Sequence, residues 1–190
     1  MKNVLIIGAG GSLASYVIKE LEKQPDVRLT LFARNRKNLN QPLPNYTIIE
    51  GDVMNYDVLK RSISGQDIVY ENLAGNLEAM TNNIVKAMHE TGVKRIIAIS
   101  SIGIYEKPLR PVLVPYRKLA DIIEASGLDY TILRPDWFTN NNEVDYALTH
   151  KGEPETGAAI SRKSIAAFIA TVIEDPELYK NENLGISKPN

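Results

Sequence analysis

The residues with the clearest chemical potential form a glycine cluster near the start of the sequence. Gly8, Gly10 and Gly11 follow the apolar run VLII and precede a segment whose apolar residues have helical spacing. Where a strand turns into a helix, glycines allow positive φ and let main-chain N–H groups approach a phosphate, and the helix N-terminus adds partial positive charge. The spacing, Gly8-x-x-Gly11-x-x-Ala14, lacks the third glycine of G-x-G-x-x-G. It predicts a pyrophosphate site, with a tight turn that binds no ligand as the alternative.

The residues at the end of the next strand distinguish between the two nicotinamide cofactors. An NAD site usually carries Asp or Glu about 20 residues after the glycines, where the carboxylate binds the ribose 2′-hydroxyl. This sequence has Ala33-Arg34-Asn35-Arg36-Lys37 instead. A carboxylate would repel a 2′-phosphate, whereas the planar guanidinium of Arg34 can hydrogen-bond it. The pattern favours NADPH; the alternative is a solvated basic loop, which is the better interpretation of Arg36 and Lys37.

Strands and helices alternate along the sequence, and they must position these residues. Short apolar runs predict six strands, at 4–8, 27–33, 46–52, 67–73, 94–101 and 128–135. Helical spacing predicts helices after Gly11, at 57–63, 77–92 and 116–127, and from a Ser161 cap to before Pro176. This alternation indicates an α/β fold with a doubly wound parallel sheet, a Rossmann fold of three layers (α/β/α). We expect a single domain over 1–190, with a small substrate-side segment at 136–160.

Composition and charge exclude several classes of function. The 22 Lys and Arg residues nearly balance the 23 Asp and Glu residues, which leaves no electrostatic basis for binding nucleic acid or an anionic membrane. No apolar run approaches the ~20 residues of a membrane span. The absence of cysteine excludes disulfides and thiolate chemistry, and neither His89 nor His150 has the spacing of a metal site or a catalytic triad. We expect a cytoplasmic protein, a monomer or weak homo-oligomer without a metal, that acts on a small-molecule substrate.

Seven segments carry a resemblance to a known family. In chain order they are GAGGSLA, the Arg34 loop, GDV at 51–53, ENLAG, ISSIGIY at 99–105, SGLDYTILRPDWF at 126–138 and ISRKSIAAFI at 160–169. Together they resemble the atypical short-chain dehydrogenases/reductases, in particular the NmrA-like NAD(P)-binding group and its compact biliverdin-reductase-like members, which reduce flavins. The resemblance covers nearly the whole chain. It is specific for the fold and the cofactor and much less so for the substrate.

The resemblance implies that the cofactor-binding residues follow the strands in order along the chain. The implied set is Gly8, Gly11 and Ser12 at the pyrophosphate, with Gly10 and Leu13 beside them; Arg34 at the adenosine phosphate; Asp52 and Val53 at the adenine; Leu73, Ala74 and Gly75 on the ribose side; and Ser100, Ser101 and Pro135 around the nicotinamide. Two of these roles have alternatives in ordinary backbone chemistry. Asp52 is equally suited to a turn or a helix cap, and Ser100 and Ser101 can satisfy backbone groups at a strand end.

The sequence departs from the wider superfamily where proton transfer is expected. Catalytic members of the superfamily carry Tyr-x-x-x-Lys, in which the tyrosine gives a proton to a carbonyl and the lysine lowers the tyrosine pKa. Counted back from SGLDYT, the matching positions are Val112 and Tyr116, so the pair is missing in this register. Tyr116 and Lys118 are two residues apart and face different sides of a helix, which makes them surface or packing residues. Asp136 stands where the family pattern has the glycine of LRPG, and it is either a local acid or the cap of the next segment.

The resulting hypothesis is an NADPH-dependent oxidoreductase that transfers hydride to a small, flat acceptor of the flavin or quinone type. Such an acceptor can take its proton from solvent, which makes loss of the Tyr/Lys pair tolerable. Ser101, Tyr105 and Asp136 are the predicted catalytic residues. The first alternative is an NADP(H)-binding redox sensor without turnover. The second is an epimerase or dehydratase, which the missing pair and the short segment after Pro135 disfavour.

Overall fold

Eight strands form the central sheet of the computed structural model, which describes residues 1–39 and 46–189. Across the sheet they lie in the order β3 (Thr47–Glu50), β2 (Val27–Ala33), β1 (Lys2–Ile7), β4 (Ile68–Glu71), β5 (Arg95–Ile99), β6 (Asp129–Pro135), β10 (Glu182–Ser187) and β8 (Ala147–His150). Neighbouring strands are parallel, except that β8 pairs antiparallel with β10. A separate short pair joins β7 (Phe138–Thr139) to β9 (Ile160–Ser161). The order reverses beside β1, as in a doubly wound sheet.

Five α-helices cover the two faces of this sheet within the described residues. One face carries α1 (Ser12–Leu21) and α5 (Arg162–Glu174); the other carries α2 (Tyr56–Ile63), α3 (Leu77–Thr91) and α4 (Val114–Ala125). Strand β1 shows why both faces must be covered. Its residues Val4 and Ile6 pack into the core under α1 and α5, whereas Leu5 and Ile7 pack into the core under the other three helices. Because successive side chains of a strand alternate between faces, a continuous apolar run requires helices on both sides.

The predicted Rossmann fold is confirmed, and the six predicted strands are β1 to β6. The sheet differs from the prediction at one edge, where β10 and the antiparallel β8 extend it. The β10 segment ENLGIS has only two apolar side chains, Leu184 and Ile186, with Gly185 between them, so its pattern is too weak to predict a strand. The ENLGIS segment forms a strand because pairing with β6 and β8 supplies the backbone hydrogen bonds.

The helix ends differ in how their N-terminal N–H groups are satisfied. Asn55, Asn76 and Ser161 cap α2, α3 and α5 by accepting hydrogen bonds from Val58, Ala79 and Ser164 N–H groups. The predicted Ser161 cap is therefore confirmed. The N-cap of α1 is Gly11, which has no side chain to accept such a bond, and the first turn of α1 contains no acidic residue. The N-terminus of α1 thus keeps N–H groups available to a ligand.

Candidate functional site

A cleft of about 930 Å³ lies where the carboxyl ends of the parallel strands meet. Its lining includes the residues that directly follow β1, β4, β5 and β6, namely Gly8, Asn72, Ser100 and Asp136. In open α/β sheets the crevice outside these strand ends, at the point where strand order reverses, is the usual ligand site. Every residue predicted to bind a cofactor or act in catalysis lines this cleft, with the exception of Tyr105.

The glycines of the first turn differ in what the backbone requires of them. Gly8 has a φ of +86°, and a Cβ there would overlap the carbonyl oxygen of Asn72, so the turn itself demands this glycine. Gly11 has an ordinary φ of −72°, and its Cβ would lie 3.0 Å from Nδ2 of the Asn72 side chain. Gly10 and Gly11 both line the cleft beside the uncapped start of α1. Small residues and available N–H groups at a helix N-terminus fit the pyrophosphate of a dinucleotide.

The end of the cleft beside β2 and β3 carries a basic side chain. Arg34 is exposed, and among residues 1–39 and 46–189 its guanidinium has no hydrogen-bond or ion-pair partner. The neighbouring carboxylate of Glu50 is engaged elsewhere, because it accepts a 2.9 Å hydrogen bond from the Arg36 N–H. Arg34 is therefore available to an anionic group at this end, and its planar fork suits a phosphate.

Asp52 follows β3 on the same side of the cleft. Its Oδ1 accepts a 2.8 Å hydrogen bond from the Met54 N–H, while Asn55 caps the helix that comes next. Asp52 thus makes the contact expected of a turn residue, and the same residue lines the cleft next to the buried Val53. An Asp in such a turn keeps its second carboxylate oxygen for another donor.

The middle of the cleft is bordered by the loop after β4 and by the end of β5. In that loop Gly75 has a φ of +103°, and apart from its chain neighbours no heavy atom of the described residues lies within 4 Å of where its Cβ would be, so this wall is open. The buried Ser100 donates its hydroxyl to the Tyr116 carbonyl at 3.0 Å, and Ser101 donates to the Ile102 carbonyl at 3.2 Å. Both hydroxyls satisfy backbone groups, as their alternative interpretation expects, and both residues line the cleft.

The end of the cleft beyond β6 carries exposed apolar side chains. Trp137 is 78% exposed and Val112 is 70% exposed, and Phe138 and Tyr116 also line the cleft, together with the charged Arg110 and Asp136. Asp136 Oδ1 accepts a 2.6 Å hydrogen bond from the Trp137 N–H, and the short strand β7 comes next, so Asp136 caps a turn of the chain and not a helix. Exposed aromatic side chains grouped in a cleft are suited to bind a flat ring.

The residues of this apolar end were not predicted from the sequence. Trp137 and Phe138 lie two and three residues after the strand-ending Pro135, and their position just after a strand end was the available signal. Val112 and Tyr116 occupy the two positions that correspond to the missing Tyr-x-x-x-Lys pair, and Val112 lies in the short 3-10 helix before α4. The interpretation of Tyr116 as a surface or packing residue is corrected here, because the packing of α4 against the sheet brings this side chain to the cleft.

Tyr105 lies away from the other predicted catalytic residues. Its hydroxyl accepts a 2.8 Å hydrogen bond from Asn183 Nδ2, and its ring is faced by the cationic groups of Arg117, Arg134 and Lys151. Burial, followed by the negative charge of Glu124, raises the pKa of the Tyr105 hydroxyl. The structure therefore gives this tyrosine neither access to the cleft nor the lowered pKa that a proton donor of the Tyr/Lys type needs.

The tyrosine and lysine of α4 do not form a catalytic pair. Tyr116 lines the cleft, whereas Lys118 points to α3 and forms an ion pair with Glu78.

Two further classes of feature are missing from the described parts of the chain. Neither a group of three or more potential metal ligands nor a helix long and apolar enough to cross a membrane occurs in residues 1–39 and 46–189.

Comparisons with known proteins agree on a nucleotide-binding fold. Residues 8–176 match the family described as NAD(P)H-binding. The chain is 28% identical over 218 residues to the isoflavone reductase homolog A622-like of Nicotiana tabacum, an alignment that covers 98% of this chain and 68% of the relative. The structure of a Rossmann-fold NAD(P)-binding family protein from Shigella flexneri is similar with a TM-score of 0.92 and 48% identity, covering 100% of this chain and 95% of that one.

A further solved structure adds to the evidence for the fold. It is a wide-type short-chain dehydrogenase/reductase from Veillonella parvula in complex with NADP. Its TM-score is 0.90 at 24% identity, with 100% of this chain and 95% of that chain covered. At this level of identity the likeness shows a shared fold, with no conclusion on substrate.

Proposed function

This chain belongs to the NAD(P)H-binding family of oxidoreductases, and from that premise we propose that it transfers hydride from NADPH to a small, flat acceptor of the flavin or quinone type. The observation that carries the proposal is the contrast between the two ends of the cleft. One end has the uncapped α1 N-terminus and Arg34, which has no partner among residues 1–39 and 46–189, and the other has Trp137 and Val112 exposed. A dinucleotide fits the first end, and an apolar planar molecule fits the second.

In this proposal the residues of the chain bind NADPH and orient the acceptor. NADPH supplies the hydride when it is bound. The N–H groups at the start of α1 hold the pyrophosphate, and the guanidinium of Arg34 holds the 2′-phosphate. The loop of Leu73, Ala74 and Gly75 and the pair Ser100 and Pro135 border the space between them. Trp137 and Phe138, at the start of the substrate-side segment 136–160, offer aromatic faces to the acceptor.

The acceptor class follows from the proton that the reaction needs. A ketone must receive a proton from a positioned acid, whereas a flavin or quinone can take one from water. The described part of the cleft has no Tyr/Lys pair, since Lys118 is paired with Glu78 outside it. Asp136 and Ser101 line the acceptor end, and we assign them to orienting the acceptor through hydrogen bonds.

The test is oxidation of NADPH, and separately of NADH, with a panel of flavins, quinones and simple ketones. We expect steady turnover with at least one flavin or quinone, a preference for NADPH, and little activity with ketones. Turnover restricted to ketones would contradict the proposed acceptor class. A preference for NADH would contradict the role of Arg34.

A second candidate function is a redox sensor that binds NADP(H) without turnover. The hydroxyl groups of Ser100 and Ser101 both donate to backbone carbonyls, which favours this alternative because neither O–H is free to donate to a hydride acceptor, although each oxygen can still accept a hydrogen bond. Tight binding of NADPH with no oxidation by any acceptor of the panel would support the sensor over the reductase.

A further inference from the structure

One arginine outside the cleft connects the two ends of the site. Arg162, at the start of α5, places its Nε 3.4 Å from the hydroxyl of Ser12, which lines the cleft at the N-terminus of α1. Its Nη1 donates to the carbonyl of Thr139 at 3.2 Å and to Oδ1 of Asn140 at 2.9 Å. The same guanidinium lies over the ring of Phe138, 5.1 Å from its centroid. One side chain thus contacts both the glycine turn and the wall of the acceptor end.

Helix stability does not explain a cation at this position. Ser161 already caps α5, and positive charge at a helix N-terminus opposes the helix dipole. No carboxylate of residues 1–39 or 46–189 lies within ion-pair distance of the Arg162 guanidinium, so its charge is not neutralised by a described residue. A partly buried cation without a carboxylate partner, beside a helix N-terminus that itself attracts anions, is suited to stabilise an anion bound nearby.

We propose that Arg162 is a positioning residue for the pyrophosphate of the dinucleotide and that it acts through Ser12. This inference rests on the proposed function, because it takes NADPH as the ligand of the cleft. A serine oxygen that accepts from Arg162 N–H leaves its own O–H free to donate, and the donor then points away from the guanidinium. Arg162 orients the Ser12 hydroxyl as a donor to a phosphate oxygen and adds positive charge behind it.

The other contacts of Arg162 link phosphate binding to the acceptor wall. Phe138 and Thr139 form β7, and Phe138 lines the cleft next to Trp137. When Ser12 binds a phosphate, it fixes the position of the Arg162 guanidinium. The hydrogen bonds from Arg162 to Thr139 and Asn140 then hold β7 in place. Occupancy of the pyrophosphate site therefore orders the wall against which the acceptor stacks.

The experiment compares two variants and two ligands by calorimetric titration. Arg162→Gln removes the charge and the fork, and Lys163→Gln removes the same charge from the neighbouring residue, whose side chain makes no hydrogen bond or ion pair with any described residue. The ligands are NADP⁺ and adenosine 2′-monophosphate, which lacks the pyrophosphate. We expect Arg162→Gln to weaken NADP⁺ about 10-fold and to leave adenosine 2′-monophosphate within about twofold, with Lys163→Gln close to wild type for both.

A second variant and a second signal make the test independent of folding. Arg162→Lys keeps the charge but lacks the planar guanidinium that contacts both Ser12 and β7. We therefore expect a smaller loss of NADP⁺ affinity than in Arg162→Gln. Trp137 is the one tryptophan of the sequence, and its fluorescence on NADP⁺ binding reports the acceptor wall. We expect this signal to diminish in Arg162→Gln at saturating NADP⁺.

Four outcomes would overturn the inference. They are an unchanged NADP⁺ affinity in Arg162→Gln, an equal loss for both ligands, an equal loss in Lys163→Gln, and no binding of NADP⁺ to the wild type. A different outcome would contradict the proposed function and leave this inference intact. If NADP⁺ binds and the Arg162 variants behave as expected but no acceptor is reduced, the reductase proposal fails and the role of Arg162 stands.

Discussion

At the scale of single residues, the proposed preference for NADPH depends on Arg34. If its guanidinium binds the 2′-phosphate, Arg34→Ala should weaken NADPH by ~1.5 to 3 kcal/mol, the range for hydrogen bonds to charged groups, and leave NADH nearly unchanged. Because Arg34 is exposed, salt screening places the effect toward the lower end. Titration of both cofactors measures it. Arg36→Ala is the matched control, since its side chain has no described partner. Equal losses for NADPH and NADH in Arg34→Ala would refute the assignment.

The two tyrosines nearest the missing catalytic pair provide a second residue-scale prediction. If solvent supplies the proton, Tyr116→Phe should keep most of the turnover even though Tyr116 lines the cleft. Tyr105→Phe should keep it as well and lose only about 0.5 to 1.5 kcal/mol of stability with its Asn183 hydrogen bond. Steady-state kinetics and thermal unfolding separate the two effects. A positioned acid contributes ~10²- to 10⁴-fold, so a collapse of that size in either variant would return carbonyl substrates to consideration.

At the scale of elements, the turn from β1 into α1 contains a glycine that the backbone requires, Gly8, and one for which we propose a role in binding, Gly11. Gly11→Val places a branched side chain where the pyrophosphate should approach. Gly11 needs no positive φ, but its Cβ would lie 3.2 Å from the Gly8 carbonyl oxygen, so we expect a folded, somewhat less stable protein that has lost cofactor binding. Gly8→Ala should instead unfold or strongly destabilise the chain, because its Cβ would overlap the Asn72 carbonyl. Circular dichroism and titration with NADP⁺ check both variants. Unchanged affinity in a folded Gly11→Val would leave the glycines with a role in the turn alone.

A buried carboxyl beside this turn predicts how the stability of the whole molecule depends on pH. Glu71, at the end of β4, is fully buried; its Oε1 accepts a 2.7 Å hydrogen bond from Thr81, and its Oε2 has no partner among the described residues. Burial raises the Glu71 pKa from 4.5 to about 7, against the opposing effect of the Thr81 hydrogen bond. The folded state thus keeps a proton that the unfolded chain has already lost.

The sign of the pH effect follows from that difference in bound protons. The free energy of unfolding should fall as pH rises from about 4.5 to about 7, and the contribution of Glu71 should be constant above that range. Glu71→Gln should remove this slope and stabilise the protein more at pH 8 than at pH 5. Urea unfolding at several pH values measures the slope, with Glu78→Gln, an exposed glutamate, as the control. A slope that persists unchanged in Glu71→Gln would show that other groups cause it.

At the scale of the whole molecule, most of the fold and much of the candidate site follow from local sequence patterns. The apolar runs of β1 to β6 and the helical spacing between them predict a parallel sheet, and the carboxyl ends of parallel strands lie at one edge. Any residue that directly follows such a strand, like Gly8, Ser100 or Asp136, is therefore brought to the same cleft without knowledge of packing. This is why the predicted cofactor residues all line it.

Only the tertiary structure decided the features that depend on distant contacts. Strand β10 exists because β6 and β8 pair with it, and its Asn183 donates a hydrogen bond to the hydroxyl of Tyr105, which lies outside the cleft lining. Tyr116 reaches the cleft through the packing of α4, and Arg162 reaches Ser12 from a helix 150 residues further along the chain. By itself, the sequence determined the elements and the residues at their ends, because hydrophobic periodicity and turn chemistry act over a few residues. The directions of side chains between elements depend on close packing of residues far apart in the chain, and no local pattern encodes them.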